Sequence, residues 1–189
     1  PLGLTGARML AIYNDEMIEG LRALTDAVHG AGGRIALQLQ HGGRQASADV
    51  IGQRPLSPSA VGVRGGSQPV KMTEEQIREA IEAFSEGARR AQEAGFDGVE
   101  VHMAHGYLGC SFLSPLLNRR DDEWGGDTER RTRFGREVRE AIVERVGDDY
   151  PCWCRISANE FIEGGTDLEE AQRFAPILAD AGYQAIHVS

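Results

Sequence analysis

Two histidines and a tyrosine stand close together in His102-Met103-Ala104-His105-Gly106-Tyr107. Imidazoles donate or accept protons near neutral pH, and a phenol stays protonated there. Two histidines three apart and a tyrosine on one loop after a strand favour a functional role over that of satisfied core residues. Zinc is a poorer match: metalloprotease helices space their histidines as H-E-x-x-H, and no cysteine or third histidine lies at a ligand-like distance nearby. A second group is Gln38-Leu39-Gln40-His41-Gly42-Gly43-Arg44, a donor-rich turn whose glycines allow close backbone approach. Such amides and guanidinium groups can bind a ligand or simply satisfy backbone groups. The third is Arg155 within Cys152-Trp153-Cys154-Arg155-Ile156-Ser157. A guanidinium in an apolar strand needs a partner, because a buried unpaired charge is strongly unfavourable. Glu100 is one candidate, and an anionic or electron-rich ligand atom at the strand end is the other.

The elements that must position these groups are marked by glycines. Gly32, Gly95, Gly147 and Gly182 each follow a helix-like stretch and precede a short apolar run. The runs, residues 35–39, 98–101, 152–156 and 185–188, are predicted strands. Being short and nearly continuously apolar, they are expected to be parallel and covered on both faces. Thr73 with Gln76 and Thr166 with Glu169 have capping-box spacing, and Asn14 and Asp127 are candidate single caps. Ile77, Ala80, Ile81, Phe84, Ala88 and Ala91 recur at spacings of three and four, placing them on one face of a helix. The long polar insertions, 41–72, 103–126 and 157–166, all follow strands, where parallel α/β folds build their sites. No G-x-G-x-x-G follows a predicted strand and no G-x-x-x-x-G-K-[ST] occurs. A partial (β/α)8 TIM barrel of about four parallel strands fits better than an open dinucleotide-binding sheet.

Composition narrows the partners. The 189 residues are 41% hydrophobic, and 29 acidic against 20 basic side chains give a formal charge of −9. Such a chain repels phosphate backbones and anionic lipid, so neither nucleic acid nor a membrane is expected as a partner. No apolar stretch approaches the roughly 18 residues of a spanning helix, and no leader pattern is seen; a cytoplasmic location is the default expectation. Three cysteines cannot pair completely, and the C-x-C of Cys152 and Cys154 is not a zinc-ribbon spacing. The length suggests a single domain over 1–189, although it starts at Pro1 and stops just after an apolar run, as a fragment would.

The stretch Gly95-Phe96-Asp97-Gly98-Val99-Glu100-Val101-His102-Met103-Ala104-His105-Gly106-Tyr107-Leu108, followed by Phe112-Leu113-Ser114-Pro115 and Asn118-Arg119-Arg120-Asp121-Asp122-Glu123-Trp124-Gly125-Gly126, closely resembles the old yellow enzyme family of FMN-dependent ene-reductases. So do residues 38–44 and the strand holding Arg155. The resemblance implies a (β/α)8 barrel with FMN at its mouth, reduced by NADH or NADPH, passing hydride to a small-molecule alkene conjugated to a carbonyl. It implies that Gln38 and Arg155 contact the flavin, with Arg155 stabilising the negative charge of its reduced form. It further implies that His102 and His105 hold the substrate's activating oxygen and that Tyr107 protonates the α-carbon. His105 places the chain in the H-x-x-H branch. Met103, Gly109 and Cys110 depart from common family residues, which bears on substrate preference. Residues 118–126 read as a packed structural loop. The four strands resemble the third to sixth of the barrel, so further flavin contacts, including the FMN phosphate site, are expected outside the chain, and the isolated piece should hold FMN poorly. A homo-oligomer and a C-terminal iron–sulfur extension are both compatible with the full-length parent. Two other readings stand beside this one: a flavin-independent barrel lyase or aldolase using His102, His105 and Tyr107 as acid-base groups, and an inactive truncated fragment.

Overall fold

The computed structural model describes residues 1–189. In chain order the elements are α1 (Ile18–Gly30), β1 (Leu37–Leu39), α2 (Ala48–Ile51), β2 (Leu56–Ser57), β3 (Val70–Lys71), α3 (Glu74–Glu93), β4 (Val99–Met103), α4 (Leu108–Leu113), α5 (Thr128–Val146), β5 (Cys152–Ile156), α6 (Leu168–Asp180) and β6 (Ile186–Val188). The main sheet has the order β1-β4-β5-β6, and every pair in it is parallel. Strands therefore neighbour one another in the order in which the chain supplies them. The crossover helices pack in the same order, α1 on α3, α3 on α5 and α5 on α6. A doubly wound sheet would reverse its strand order and place helices on both faces, whereas this one-way progression with its continuous helical layer is that of a barrel segment.

Local chemistry sets most element starts. Thr73 and Gln76 form the expected capping box, each side chain accepting from the other's backbone N–H, and Asp127 caps α5 by accepting from the Arg130 N–H at 2.9 Å. Two expected caps are not made. α6 is capped by Asp167, which accepts from the Glu170 N–H at 2.8 Å. Thr166 is instead held in the preceding loop, where its N–H donates to Glu160 Oε2 at 2.6 Å and its carbonyl accepts from the Glu160 N–H. Asn14 precedes only a short 3-10 turn, and its side chain makes no cap bond. The helices before β4 and β6 stop at Gly95 and Gly182, whose φ angles of +88° and +96° only glycine adopts without strain.

One continuous apolar core joins helices to sheet. The predicted α3 face, Ile77, Ala80, Ile81, Phe84, Ala88 and Ala91, is wholly buried. Phe134 of α5 stacks on Phe112 of α4 at 4.4 Å and meets Phe84 edge-on at 6.1 Å. The strands differ from the expectation in one respect. They are not apolar on both faces but alternate strictly: Leu37, Leu39, Val99, Val101, Met103, Cys152, Cys154, Ile156 and Ile186 join or pack on the helical core, while Gln38, Glu100, His102, Trp153, Arg155 and His187 occupy the other face. Alternation follows from the two-residue period of a strand, and here it separates a helix-facing side from a polar inner side. Observed strands are also shifted by one to two residues at three of the four predicted runs.

The 41–72 insertion holds a small parallel pair, β2 with β3, that two-residue strands leave without a readable period. The 118–126 loop is structural, as expected. Asn118 Nδ2 donates to the carbonyls of Phe112 and Trp124 at 2.8 and 2.7 Å, and Arg120 donates to the Pro58 and Met72 carbonyls while pairing with Asp122. No helix is long and apolar enough to cross a membrane.

Candidate active site

Strand register lays the polar side chains out in two rows across the inner face. Gln38, Glu100 and Trp153 are Cα partners in one row, and His102, Arg155 and His187 in the next. The loop after β4 then brings His105 and Tyr107 back over His102. The His102 ring lies 5.0 Å from that of His105 and 5.1 Å from that of Tyr107, both edge-on. The three acid-base groups singled out from their spacing thus form one cluster beside Arg155.

His102 is 4% exposed. Burial first, and then the charges of His105 and Arg155, push its pKa down to about 4, so it is neutral at pH 7. Its Nδ1 accepts from the Ala104 N–H at 3.3 Å, which places the proton on Nε2 and leaves that N–H for a ligand. His105 stands at φ 60°, an uncommon conformation for a residue with a side chain. It is held there by its N–H, which donates to Ser157 Oγ at 3.0 Å; its Nε2 is 2.5 Å from Ser189 Oγ. Burial lowers its pKa as well. Tyr107, half-buried, is the extended residue that starts α4.

The Gln38–Arg44 segment divides between the two roles left open for it. Arg44 and Gln45 buttress the loop after β4: Arg44 Nε donates to the Gly106 carbonyl and Gln45 Nε2 to the His105 carbonyl at 2.7 Å. The His41 carbonyl accepts from the Leu108 N–H at 3.0 Å, and Gly43, at φ +56°, lies so close that a Cβ there would be 2.8 Å from the Leu108 nitrogen. Gln38 and Gln40 take no part in these loop contacts. Gln38 Nε2 donates to Glu100 Oε1 at 2.6 Å, leaving its Oε1 as acceptor, and Gln40 Nε2 is buried without a partner.

Glu100 does not pair with Arg155. It accepts instead from Gln38 Nε2, from Trp153 Nε1 at 2.6 Å and from His187 Nδ1 at 2.8 Å. Burial pushes its pKa up, but these three donors outweigh that and hold it below the usual carboxylate value. Arg155 Nε is consequently buried with no hydrogen-bond partner. Of the two partners considered for Arg155, Glu100 is taken by other donors, which leaves the Nε open to a ligand atom. A flavin fits: the pyrimidine edge of its ring offers carbonyl oxygens to a guanidinium and an amide N–H to the Gln38 carbonyl. Trp153 and His187 were not foreseen as site residues; the alternation Glu100-x-His102 and Trp153-x-Arg155 was the available signal.

Met103 and Gly109 pack against each other on the helical side of β4. Met103 is on the helical side and 1% exposed, and a Cβ at position 109 would lie 2.7 Å from its Cγ. The same Cβ would lie 2.9 Å from the His102 carbonyl oxygen and 3.0 Å from the Met103 Cα, so the close approach of the strand backbone requires glycine at 109 and Met103 fills the space beside it. Cys110 is buried, which raises its thiol pKa to about 12.

The two low-pKa histidines make a stability prediction. Burial lowers His41 and His102 to about 4 in the folded chain, against about 6.5 when unfolded. The unfolded chain binds these protons first as pH falls, so the stability tied to their neutral forms is complete above about 6.5 and is lost as pH drops through 4. For His102 alone the loss is of order 3 kcal/mol. Denaturant midpoints should fall steeply from pH 6.5 to 4, and His102→Gln should flatten that slope.

A one-way strand-helix repeat that gathers two histidines, a tyrosine and an arginine with an unpartnered Nε beyond its strand ends is the arrangement of a barrel segment. Residues 3–189 match the model of the NADH:flavin oxidoreductase / NADH oxidase family, and the chain belongs to that family. It is 44% identical over 191 residues to an NADH oxidase of Thermoanaerobacter brockii, covering all of this chain and 29% of that protein. It is 41% identical over 190 residues to an NADPH dehydrogenase of Bacillus licheniformis, covering all of this chain and 55% of that protein. Among solved structures, the old yellow enzyme homologue from Zymomonas mobilis superposes with a TM-score of 0.86 at 33% identity, covering 98% of this chain and 56% of that one. The chain thus spans from under a third to about half the length of the relatives it matches. The resemblance to old yellow enzymes and the partial TIM barrel are both established by these matches. So is the cofactor set of the family, FMN with NADH or NADPH.

Proposed function

We propose that the full-length protein is an FMN-dependent oxidoreductase that uses NADH or NADPH to reduce C=C bonds conjugated to a carbonyl, and that residues 1–189 are a single-domain piece of its barrel. The observation that supports this reading most directly is the neutral His102, whose free Nε2–H sits beside the His105 ring and the Tyr107 phenol. Gln38 Oε1 and Arg155 would hold the flavin edge. When bound, FMN supplies the hydride. The chain's own residues do the rest. His102 and His105 donate to the carbonyl oxygen of the alkene substrate, and these preorganised donors favour the enolate-like charge that builds there. Tyr107 gives its phenolic proton to the α-carbon. The cysteines, all free, suit a reducing compartment, in keeping with a cytoplasmic enzyme. The test is to load the full-length protein with FMN and follow the flavin spectrum. It should bleach with NADH or NADPH and recover on adding an enone; bleaching without recovery would remove the alkene as substrate.

A further inference from the structure

Glu100 has no part in the chemistry just described, yet it links all four strands of the sheet: it lies on β4 and accepts from Gln38 on β1, Trp153 on β5 and His187 on β6. We infer that Glu100 is a positioning residue of the flavin site, whose carboxylate decides which atoms of Gln38 and His187 face the ligand. The inference rests on the assignment of FMN to this face.

A side-chain amide has two nearly isosteric orientations, and Gln38 is exposed, so shape alone does not choose between them. An ionised carboxylate only accepts. Beside it Gln38 must turn Nε2 inward, which leaves Oε1 as an acceptor for the flavin's ring N–H. The same rule puts the His187 proton on Nδ1 and leaves Nε2 for the ligand side. Glu100 is only 8% exposed, so the carboxylate that accepts these charge-assisted bonds is withdrawn from water while Gln38 and His187 reach it from the exposed side. Arg155 then supplies the complementary donor from the adjacent row, so an acceptor and a donor meet a flavin edge that carries both an N–H and carbonyl oxygens.

The experiment compares Glu100→Gln, Gln38→Ala and the double variant in the full-length flavoprotein. Glu100→Gln nearly keeps the shape but lets Gln38 turn over. It should weaken FMN binding about tenfold. It should also shift the bound flavin's midpoint potential upward, since a negative charge leaves the face and the Gln38 amide becomes free to donate to the ring; looser packing alone would not move the potential in this way. The double variant should lose less affinity than the two singles together, because both disturb the Gln38–Glu100 contact. Imidazole 15N spectra of the flavin-free wild type should show His187 protonated on Nδ1, a measurement that needs no variant to fold. A wild-type His187 protonated on Nε2, additive losses, or unchanged affinity and potential in Glu100→Gln would each overturn the inference. A wild type that takes up no flavin would overturn the flavin assignment itself, and this inference with it.

Discussion

Tyr107→Phe in the full-length flavoprotein is expected to slow reoxidation by an enone by about 10²- to 10³-fold while leaving flavin reduction by NADPH largely intact. The substitution is clean because the Tyr107 ring has a structural contact of its own, edge-on to His102, that phenylalanine preserves. Only the phenolic O–H is lost. His102 and His105 would still hold the carbonyl oxygen, so substrate affinity should change little. The slowing should be greatest for enones whose α-carbon is a poor base and gains most from an acid. Stopped-flow measurement of the two half-reactions separates the outcomes, and an equal fall in both would remove Tyr107 from the proton-donor role.

Arg155→Met should act in opposite directions on stability and on cofactor binding. In the chain by itself the guanidinium has a buried Nε without a partner and no carboxylate beside it, because Glu100 is committed to Gln38, Trp153 and His187. Exchanging such a group for a flexible apolar side chain of similar length removes a desolvation penalty, so the flavin-free protein should gain on the order of 1 kcal/mol. FMN binding should weaken by about 100-fold, the value of a charge-assisted contact in a shielded site. Chemical denaturation of the flavin-free protein and flavin titration measure the two separately. A loss of stability would mean that Arg155 has a partner within the fold.

What could be read from the sequence was what is local. The α3 face from Ile77 to Ala91 and the Thr73 capping box depend on residues three and four apart, and both are formed as expected. The histidine pair and Tyr107 were legible because a strand end and its following turn bring near neighbours together. Local signals failed where two residues compete: Thr166 and Asp167 are both good caps, and the loop bond to Glu160 decides for Asp167. Contacts between distant residues left no trace. Gln38 and Glu100 are 62 positions apart, and nothing beside either residue announces the bond that turns Glu100 away from Arg155. Met103 and Gly109 depart from common family residues, but only the folded chain shows that they touch, with the backbone of residues 102 and 103 too close for a Cβ at 109.

The strict alternation along the strands divides the labour of the sheet by parity. On β4 the odd-numbered residues Val99, Val101 and Met103 answer to the helices, and the even-numbered Glu100 and His102 to the polar inner face; on β5 the parity is reversed, with Trp153 and Arg155 on the inner face. Mutations at one parity can therefore accumulate to tune robustness, and at the other to tune chemistry, with little crosstalk. The same geometry leaves no tolerance for a deletion inside a strand, since losing one residue would exchange the two roles for every residue beyond it.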